Sequence, residues 1–515
     1  MRIVLTAAEA VPFAKTGGLA EVVSALSREL DRAGHDVTLI LPFYPRLVAR
    51  CRDVIPPIES TGLTVRLPVG MQLVTAGVLR TRLPGTRAEV LLIDQPEFFG
   101  RRQPYQDQRR DDQDYADNCE RFSFLCRAIV EVIRQIPEPP DVVHCHDWQT
   151  ALVPVLIEHV VRPCGELLDT ATVLAIHNLE VQGRFTPDKF EAAGLDEFPA
   201  LRSELESDDE LNLLRAGIAS ADQIVTVSPT HAHEIQSVDF GHGLHESLRT
   251  RGADLAGVLN GVDSATWNPA TDRFIARNYS AASGDVLAAK AICKATLQER
   301  AGLPQRGEVP VIGIVSRLIE RKGIELFAAR ADNLLLEDIQ LVVLGQGDKP
   351  FQTWLTELAE QHPAQMSVTL ARNESLAHQI FAGADLILMP SRVEPAGLNQ
   401  LLAQRYGTPP IVRSVGGLAD SVVDATPEHI ADGTATGFVF GAYDSRACEL
   451  TIRRALDLYH DRAAWSKLTY SAMQTDWSWR RSAGQYLHLY EQATAHRRER
   501  TVNMHIEYSE ERIAV

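Results

Sequence analysis

Residues 2–42 read RIVLTAAEAVPFAKTGGLAEVVSALSRELDRAGHDVTLILP, and the fold is decided here. Residues 2–8 (RIVLTAA) are a short apolar run, which suits a strand buried on both faces of a parallel sheet. A loop with Pro12, Gly17 and Gly18 follows. Leu19, Val22, Val23, Leu26 and Leu30 then recur at helical spacing, and Gly34 ends the element. Asp36 to Pro42 is the next strand. Strand, helix and strand make one βαβ unit, and its right-handed crossover makes the two strands parallel.

The rhythm continues outward. Strand-like runs occur at Val90–Ile93, Asp141–Cys145, Ala171–His177 and Gln223–Ser228. It restarts after residue 255, with strands predicted at Val258–Asn260, Val309–Ser316, Gln340–Gly345, Ser367–Ala371, Asp385–Pro390 and Pro410–Ser414. Helical segments such as Ser375–Ala384 and Leu398–Arg405 separate the later ones. The alternation predicts an α/β chain of two doubly wound, Rossmann-like domains in tandem, at residues 1–255 and 256–472. A last helical stretch at about 445–495 carries Trp477, Trp479, Tyr486 and Tyr490, and its part from 473 to 495 is expected to cross back to the first domain. Residues 496–515 read as a loose charged tail. The polar runs 101–118 and 202–210 read as solvated loops, either of which is a candidate lid.

Composition narrows the function. The chain has 515 residues, 45% of them hydrophobic and 23% charged, so it can bury more than one core. Its formal net charge of −17 repels phosphate at long range, which argues against nucleic acid and anionic membranes as partners. An anionic small substrate then needs a local cluster of cations. The seven cysteines stand singly, without a CxxC pair, as reduced cytosolic thiols do. The opening apolar run is interrupted by Glu9 and is too short for a signal peptide, and no stretch approaches 18 uninterrupted apolar residues. A cytoplasmic protein is expected.

Loops at the strand ends carry the candidate chemistry. Lys15-Thr16-Gly17-Gly18 lies between the first strand and the first helix. Glycines there let a backbone approach a ligand, and a helix N-terminus offers unpaired N–H groups. A phosphate or a sugar hydroxyl suits that turn; a purely structural turn accounts for it equally well. Arg317 and Lys322 follow the strand VIGIVS, at the carboxyl end where open α/β sheets bind ligands. Arginine forks two phosphate oxygens and lysine adds a point charge. Glu394 follows the strand DLILMP, and Gly416-Gly417 makes another strand-to-helix turn, expected to present free N–H donors. His144-Cys145-His146-Asp147 ends a strand, as does His177-Asn178. The first invites a zinc reading, but no other dense His/Cys set completes four ligands, and hydrogen bonding to a polyol suits it as well.

Taken together these residues resemble glycosyltransferase family 5, the bacterial glycogen synthases and plant starch synthases. The resemblance runs from about residue 1 to 492. It is carried by Ala8-Glu9 through Lys15-Thr16-Gly17-Gly18-Leu19, His146-Asp147-Trp148, His177-Asn178-Leu179 and Asn260-Gly261-Val262-Asp263. Further along it is carried by Ser316-Arg317-Leu318, Lys322-Gly323, Glu394-Pro395, Gly397-Leu398 and Gly416-Gly417-Leu418-Ala419-Asp420. It implies the GT-B glycosyltransferase fold, with two doubly wound domains facing across a cleft, the first serving the acceptor and the second the nucleotide sugar. It implies retaining glucosyl transfer from ADP-glucose to the non-reducing end of an α-1,4-glucan, without cofactor or metal. By the same resemblance Arg317 and Lys322 hold the pyrophosphate, Glu394 lines the nucleotide-sugar site, His177 meets the glucose and Asp147 lies on the sugar side. Lys15, Gly17 and Gly18 close on the donor, and Glu9, Asn260, Leu398, Gly416 and Gly417 complete the binding residues.

The chain departs from the family pattern at several places. Glu21 stands where Asp is common, Ala396 for Cys, Arg215 for Lys, Cys293 for Asn and Val181 for Tyr. Most of these bear on acceptor geometry more than on the phosphate grip. They keep two other expectations open: a transferase using UDP-glucose or another acceptor, and a weakly catalytic glucan-binding paralogue.

Overall fold

The computed structural model describes residues 1–107, 113–196, 198–199, 201–207 and 209–513. The chain divides into two compact units. The first comprises Met1–Val227, Ala232–Val258 and the residues from Ser482 onward; the second comprises Ser228–His231 and Leu259–Arg481.

In the first unit, β1 (Arg2–Thr6), α1 (Gly18–Arg32) and β2 (Asp36–Pro42) form the opening βαβ unit, with Ile3 opposite Val37 in parallel register. Helix α1 buries Val22, Val23, Leu26 and Leu30 of the face its spacing predicts, with Ala20 beside them, while Leu19 is only partly buried. Strands β3 (Glu59–Val69), β4 (Gln72–Arg82) and β5 (Glu89–Asp94) follow, then helix α2 (Asn118–Gln135). After them come β6 (Val142–His146), β7 (Ala171–Ile176), α3 (Leu213–Ser220), β8 (Gln223–Thr226) and β9 (Leu255–Gly257). The sheet order is β9-β8-β7-β6-β1-β2-β5-β4-β3. Strand order therefore reverses at β1: the chain builds outward through β2 on one side and returns to lay β6 on the other.

The second unit repeats the plan. It contains α4 (Val286–Arg300), β10 (Val311–Val315), β11 (Gln340–Leu344), α5 (Lys349–Gln361), β12 (Met366–Thr369), α6 (Glu374–Gly383) and β13 (Leu386–Met389). There follow α7 (Asn399–Arg405), β14 (Pro410–Arg413), α8 (Gly416–Ser421) and β15 (Phe438–Phe440). All six strands pair in parallel, in the order β12-β11-β10-β13-β14-β15, so this sheet reverses between β10 and β13. Such reversals open a crevice at the carboxyl ends of the strands. Each unit closes on its own apolar core.

Four expectations need correction. The first sheet is mixed: β3 pairs antiparallel with β4, and β4 with β5. This hairpin escaped the reading because β3 leaves most of its residues exposed and is irregular between Ser60 and Thr64, so it shows no clean alternation. The strand expected at Val258–Asn260 lies at Leu255–Gly257. The single helical stretch at 445–495 is three helices, α9 (Ser445–His460), α10 (Arg462–Gln474) and α11 (Trp479–Ile513). The break between the first two falls at Asp461, whose carboxylate accepts the Ala463 and Ala464 N–H groups.

The fourth correction concerns the tail, which is helical as far as Ile513. Arg497 is 2% exposed, and its Nε donates to Leu168 O at 2.8 Å. Thr501 Oγ1 donates to the same oxygen at 2.9 Å. Arg497 also stands 3.6 Å from Asp222, which binds Arg162 Nη2 at 2.8 Å. Charge that reads as solvation in the sequence here fills a buried cluster. Burial alone raises the Asp222 pKa, but the Arg162 and Arg497 guanidinium groups and the Thr172 N–H outweigh it and bring the carboxyl below its usual range.

Removing one partner from such a cluster leaves a buried charge unpaired. Asp222→Ala is expected to destabilise the chain by about 3–5 kcal/mol, measured by denaturant unfolding at pH 7. Because the folded pKa is depressed, the wild-type advantage is complete above the unfolded carboxylate range near ~4 and disappears as pH falls through the folded value. A difference that grows on acidification contradicts the assignment.

Candidate active site

Helix α1 begins at Gly18, and the loop between β1 and α1 is held by Glu9. Glu9 is 2% exposed. Its Oε2 accepts the Thr16 N–H, and its Oε1 accepts Thr16 Oγ1 at 2.6 Å and Tyr105 Oη at 2.5 Å. With both oxygens taken by protein donors, Glu9 organises the loop. Lys15 Nζ pairs with Glu21 Oε1 at 2.5 Å, both side chains half exposed. Gly17 and Gly18 meet no constraint from their surroundings: a Cβ at either would find no atom within 4 Å.

The neighbouring strand β6 ends at His146, and Asp147 follows it with φ 57°, the left-handed region that non-glycine residues seldom occupy. This turn lets the Asp147 N–H reach Ala175 O at 2.8 Å, while its Oδ1 accepts the His177 N–H at 2.7 Å. Asp147 thereby clamps the end of β7 and sets where His177 begins. Burial raises the Asp147 pKa, with His177 and the His177 and Asn178 N–H groups opposing. Burial lowers the His177 pKa, partly offset by Asp147. At neutral pH the His177 ring is therefore uncharged.

In the second unit, Arg317 is exposed just beyond β10, and Lys322 ends the following turn. Gly323 has φ 70°, and a Cβ there would lie 2.0 Å from Pro390 O. Only glycine lets the loop after β10 lie against the loop after β13. That approach places Lys322 Nζ at 2.5 Å from Glu394 Oε2, which also accepts Ser391 Oγ at 2.9 Å. Glu394 is 8% exposed.

Gly416 and Gly417 close the same corner. Cβ atoms there would lie 2.2 Å from Glu394 O and 1.9 Å from Ala396 O. The Gly417 N–H was expected to be free. It is spent on Glu394 O and Pro395 O at 3.1 and 3.0 Å, so this turn locks the Glu394 loop in place. Leu398 is 37% exposed ahead of α7. Asn260 is 8% exposed, and its Oδ1 has no partner among the described residues.

The structure thus brings Glu9, Lys15, Gly17 and Gly18 into one loop and clamps His177 with Asp147. It groups Lys322, Glu394, Gly416 and Gly417 at the reversal of the second sheet. Tyr105 and Ser391 were missed. Tyr105 lies in the polar run 101–118, which is not simply solvated. Arg101 pairs with Asp117 and stacks 4.4 Å from the Tyr115 ring, while residues 108–112 lie outside the described residues. Ser391 did carry a signal, three residues before Glu394 at a strand end. Among the described residues no group of three or more His, Cys, Asp or Glu is placed to hold a metal, and no helix is long and apolar enough to cross a membrane.

The chain is similar in sequence and fold to known proteins. The chain matches the starch synthase catalytic domain over residues 2–250 and the glycosyl transferases group 1 over residues 296–471. It is 41% identical over 502 residues to a glycogen synthase of Rhodopirellula baltica, covering 95% of this chain and 97% of that protein. It is 42% identical over 500 residues to glycogen synthase 1 of Methylococcus capsulatus, covering 96% and 97%. The catalytic domain of starch synthase IV from Arabidopsis thaliana, solved bound to ADP and acarbose, superposes with a TM-score of 0.82 at 33% identity, covering 96% of this chain and 99% of that one. A sucrose-phosphate synthase from Thermosynechococcus elongatus, at 17% identity and a TM-score of 0.55, shares the fold alone. The chain belongs to the glycogen and starch synthase family of GT-B-fold glycosyltransferases.

Proposed function

We propose that this glycosyltransferase transfers glucose from ADP-glucose to the non-reducing end of an α-1,4-glucan with retention of configuration, in the cytoplasm. The observation that carries the reading is the Lys322–Glu394–Ser391 set at the sheet reversal, beside the exposed Arg317. The ADP held by the Arabidopsis relative supports an adenine donor. Seven free thiols support a reducing compartment.

The barrier lies in separating a cation-like glucosyl carbon from a diphosphate. Charge develops on the leaving oxygens, and fixed cations aimed there act where they are most effective. Arg317 forks two oxygens and Lys322 adds a point charge. Glu394 fixes the Lys322 ammonium, and Ser391 with Gly417 fixes Glu394. The C1–O bond to the diphosphate breaks as C1 bonds to the acceptor hydroxyl oxygen on the same face. The hydroxyl proton passes to the departing phosphate. The uncharged His177, set by Asp147, hydrogen-bonds a sugar hydroxyl without adding a charge near the developing cation. Lys15, Gly17 and Gly18 meet the donor, with Glu9 holding their loop, and Asn260 and Leu398 complete the contacts.

Release of nucleoside diphosphate from ADP-glucose and from UDP-glucose, with and without glycogen, tests this. Acceptor-dependent ADP release with chain growth is expected. UDP release at the higher rate reassigns the donor, and no release from either favours a glucan-binding role. Arg317→Ala and Lys322→Ala are each expected to lower kcat/KM by about 10²-fold or more, in protein that melts cooperatively. Near-normal turnover in either removes its role. Since these side chains supply the positive charge that Mg²⁺ supplies elsewhere, the rate is expected to hold in excess chelator. Loss restored by Mg²⁺ overturns that expectation. The two glycine pairs separate in a fourth test. Gly17→Ala is expected to leave the melting temperature unchanged and weaken donor binding, whereas Gly417→Ala destabilises by roughly 1–3 kcal/mol. Unchanged donor KM in Gly17→Ala means that the ligand does not approach that backbone.

A further inference from the structure

Behind His177 lies a column of buried rings that the chemistry above does not use. His144 and His146 share one face of β6, with ring centroids 4.1 Å apart. His146 stacks on His177 at 25° and 5.3 Å, and its Nδ1 lies 3.0 Å from His177 Nε2. At the far end Tyr490 Oη, on α11, lies 2.7 Å from His144 Nδ1. His144, His146 and Tyr490 are all 0% exposed.

Burial lowers the pKa of each histidine in the column, His144 to about 3 and His146 well below the usual value. Each imidazole is therefore neutral at pH 7 and carries one proton, whose place is set by its hydrogen bonds. His146 Nε2 is buried and has no partner among the described residues. If His177 donated from Nε2, the His146 proton would have to sit on that Nε2, as a buried N–H with no acceptor. If His146 donates from Nδ1, its Nε2 is only a bare lone pair. Orphaned buried N–H groups are rarer than under-satisfied acceptors, since such a donor keeps its full desolvation cost.

We propose that His146 is a positioning residue that donates from Nδ1 to His177 Nε2, holding His177 as the Nδ1–H tautomer and making it a hydrogen-bond donor to the sugar. The last step rests on the reading of His177 as a glucose contact. The column gives the neutral ring one fixed polarity: a bare nitrogen toward β6 and an N–H on the other side.

Nitrogen spectra of ¹⁵N-histidine-labelled protein test this directly, because protonated and bare imidazole nitrogens resonate apart. The wild type is expected to show His177 protonated at Nδ1 and bare at Nε2. His146→Asn, whose amide nitrogen replaces the donor, keeps that pattern and most of the turnover. His146→Leu removes the donor, mixes the two tautomers of His177 and lowers kcat about tenfold while the glucan KM holds. A proton on His177 Nε2 in the wild type overturns the proposal whatever the activity. So does an unchanged His177 spectrum in His146→Leu. If that variant does not fold, the wild-type spectrum decides alone. The glucose reading fails differently: His177→Ala with wild-type turnover removes the sugar contact and leaves the spectral assignment of His146 intact.

Discussion

Where strand order reverses in a parallel sheet, the crossovers leaving two adjacent strands run to opposite faces, and their loops part instead of packing together. The parallel strands of both sheets contain such a reversal, at β1 in the first and between β10 and β13 in the second. Most of the candidate chemistry follows from that constraint. The loop after β1 carries Glu9, Lys15, Gly17 and Gly18, and Asp147 follows the strand beside it. The loops after β10 and β13 carry Arg317, Lys322 and Glu394. A parallel sheet with monotonic strand order would pack these loop ends and leave no room for a sugar nucleotide.

Holding charged groups in such crevices needs a second layer, and here it is built largely from backbone. The Gly416-Gly417 turn lies so close to Glu394 O and Ala396 O that no side chain fits, and the Gly417 N–H is bonded to the loop it supports. Gly323 does the same for Lys322 against Pro390. In the first unit the second layer is side chains. Glu9 takes three donors, and Asp147 accepts a loop N–H from a strained backbone conformation. The candidate site of the second unit is thus fixed by close packing, and that of the first by hydrogen bonds to buried carboxylates.

Much of this was legible from one chain because parallel strands buried on both faces write themselves as apolar runs, and loops at their ends are where ligands bind. Residues 2–42 yield β1, α1 and β2 to within two residues at their ends, and the placement of Arg317, Lys322 and Glu394 at strand ends follows from the runs before them. What stayed hidden depends on contacts distant in sequence. The β3–β4 hairpin is half exposed and irregular, so neither period shows. Gly417 looks like a free donor until the loop it touches is known. Tyr105 sits in a polar run with nothing nearby to announce Glu9. Arg497 and Thr501 look like solvated charge and polarity until Leu168, Asp222 and Arg162 are brought to them. Periodicity reports which face of an element is buried; it carries no information about which remote group a polar side chain meets.

The helix that carries Arg497 and Tyr490 has a consequence for synthesis. Domains fold as units while a chain emerges from the ribosome, the N-terminal one first. Here the first unit is not contiguous: it needs residues from Ser482 onward, which emerge only after the whole second unit. Arg497 and Leu168, bonded in the finished protein, are 329 residues apart in the chain. Until that helix emerges, Asp222 has Arg162 but neither Arg497 nor Arg500, and His144 lacks Tyr490. The nascent first unit therefore waits with its histidine column uncovered on one side, and the order of translation makes its last contacts those that seal the ring stack behind His177.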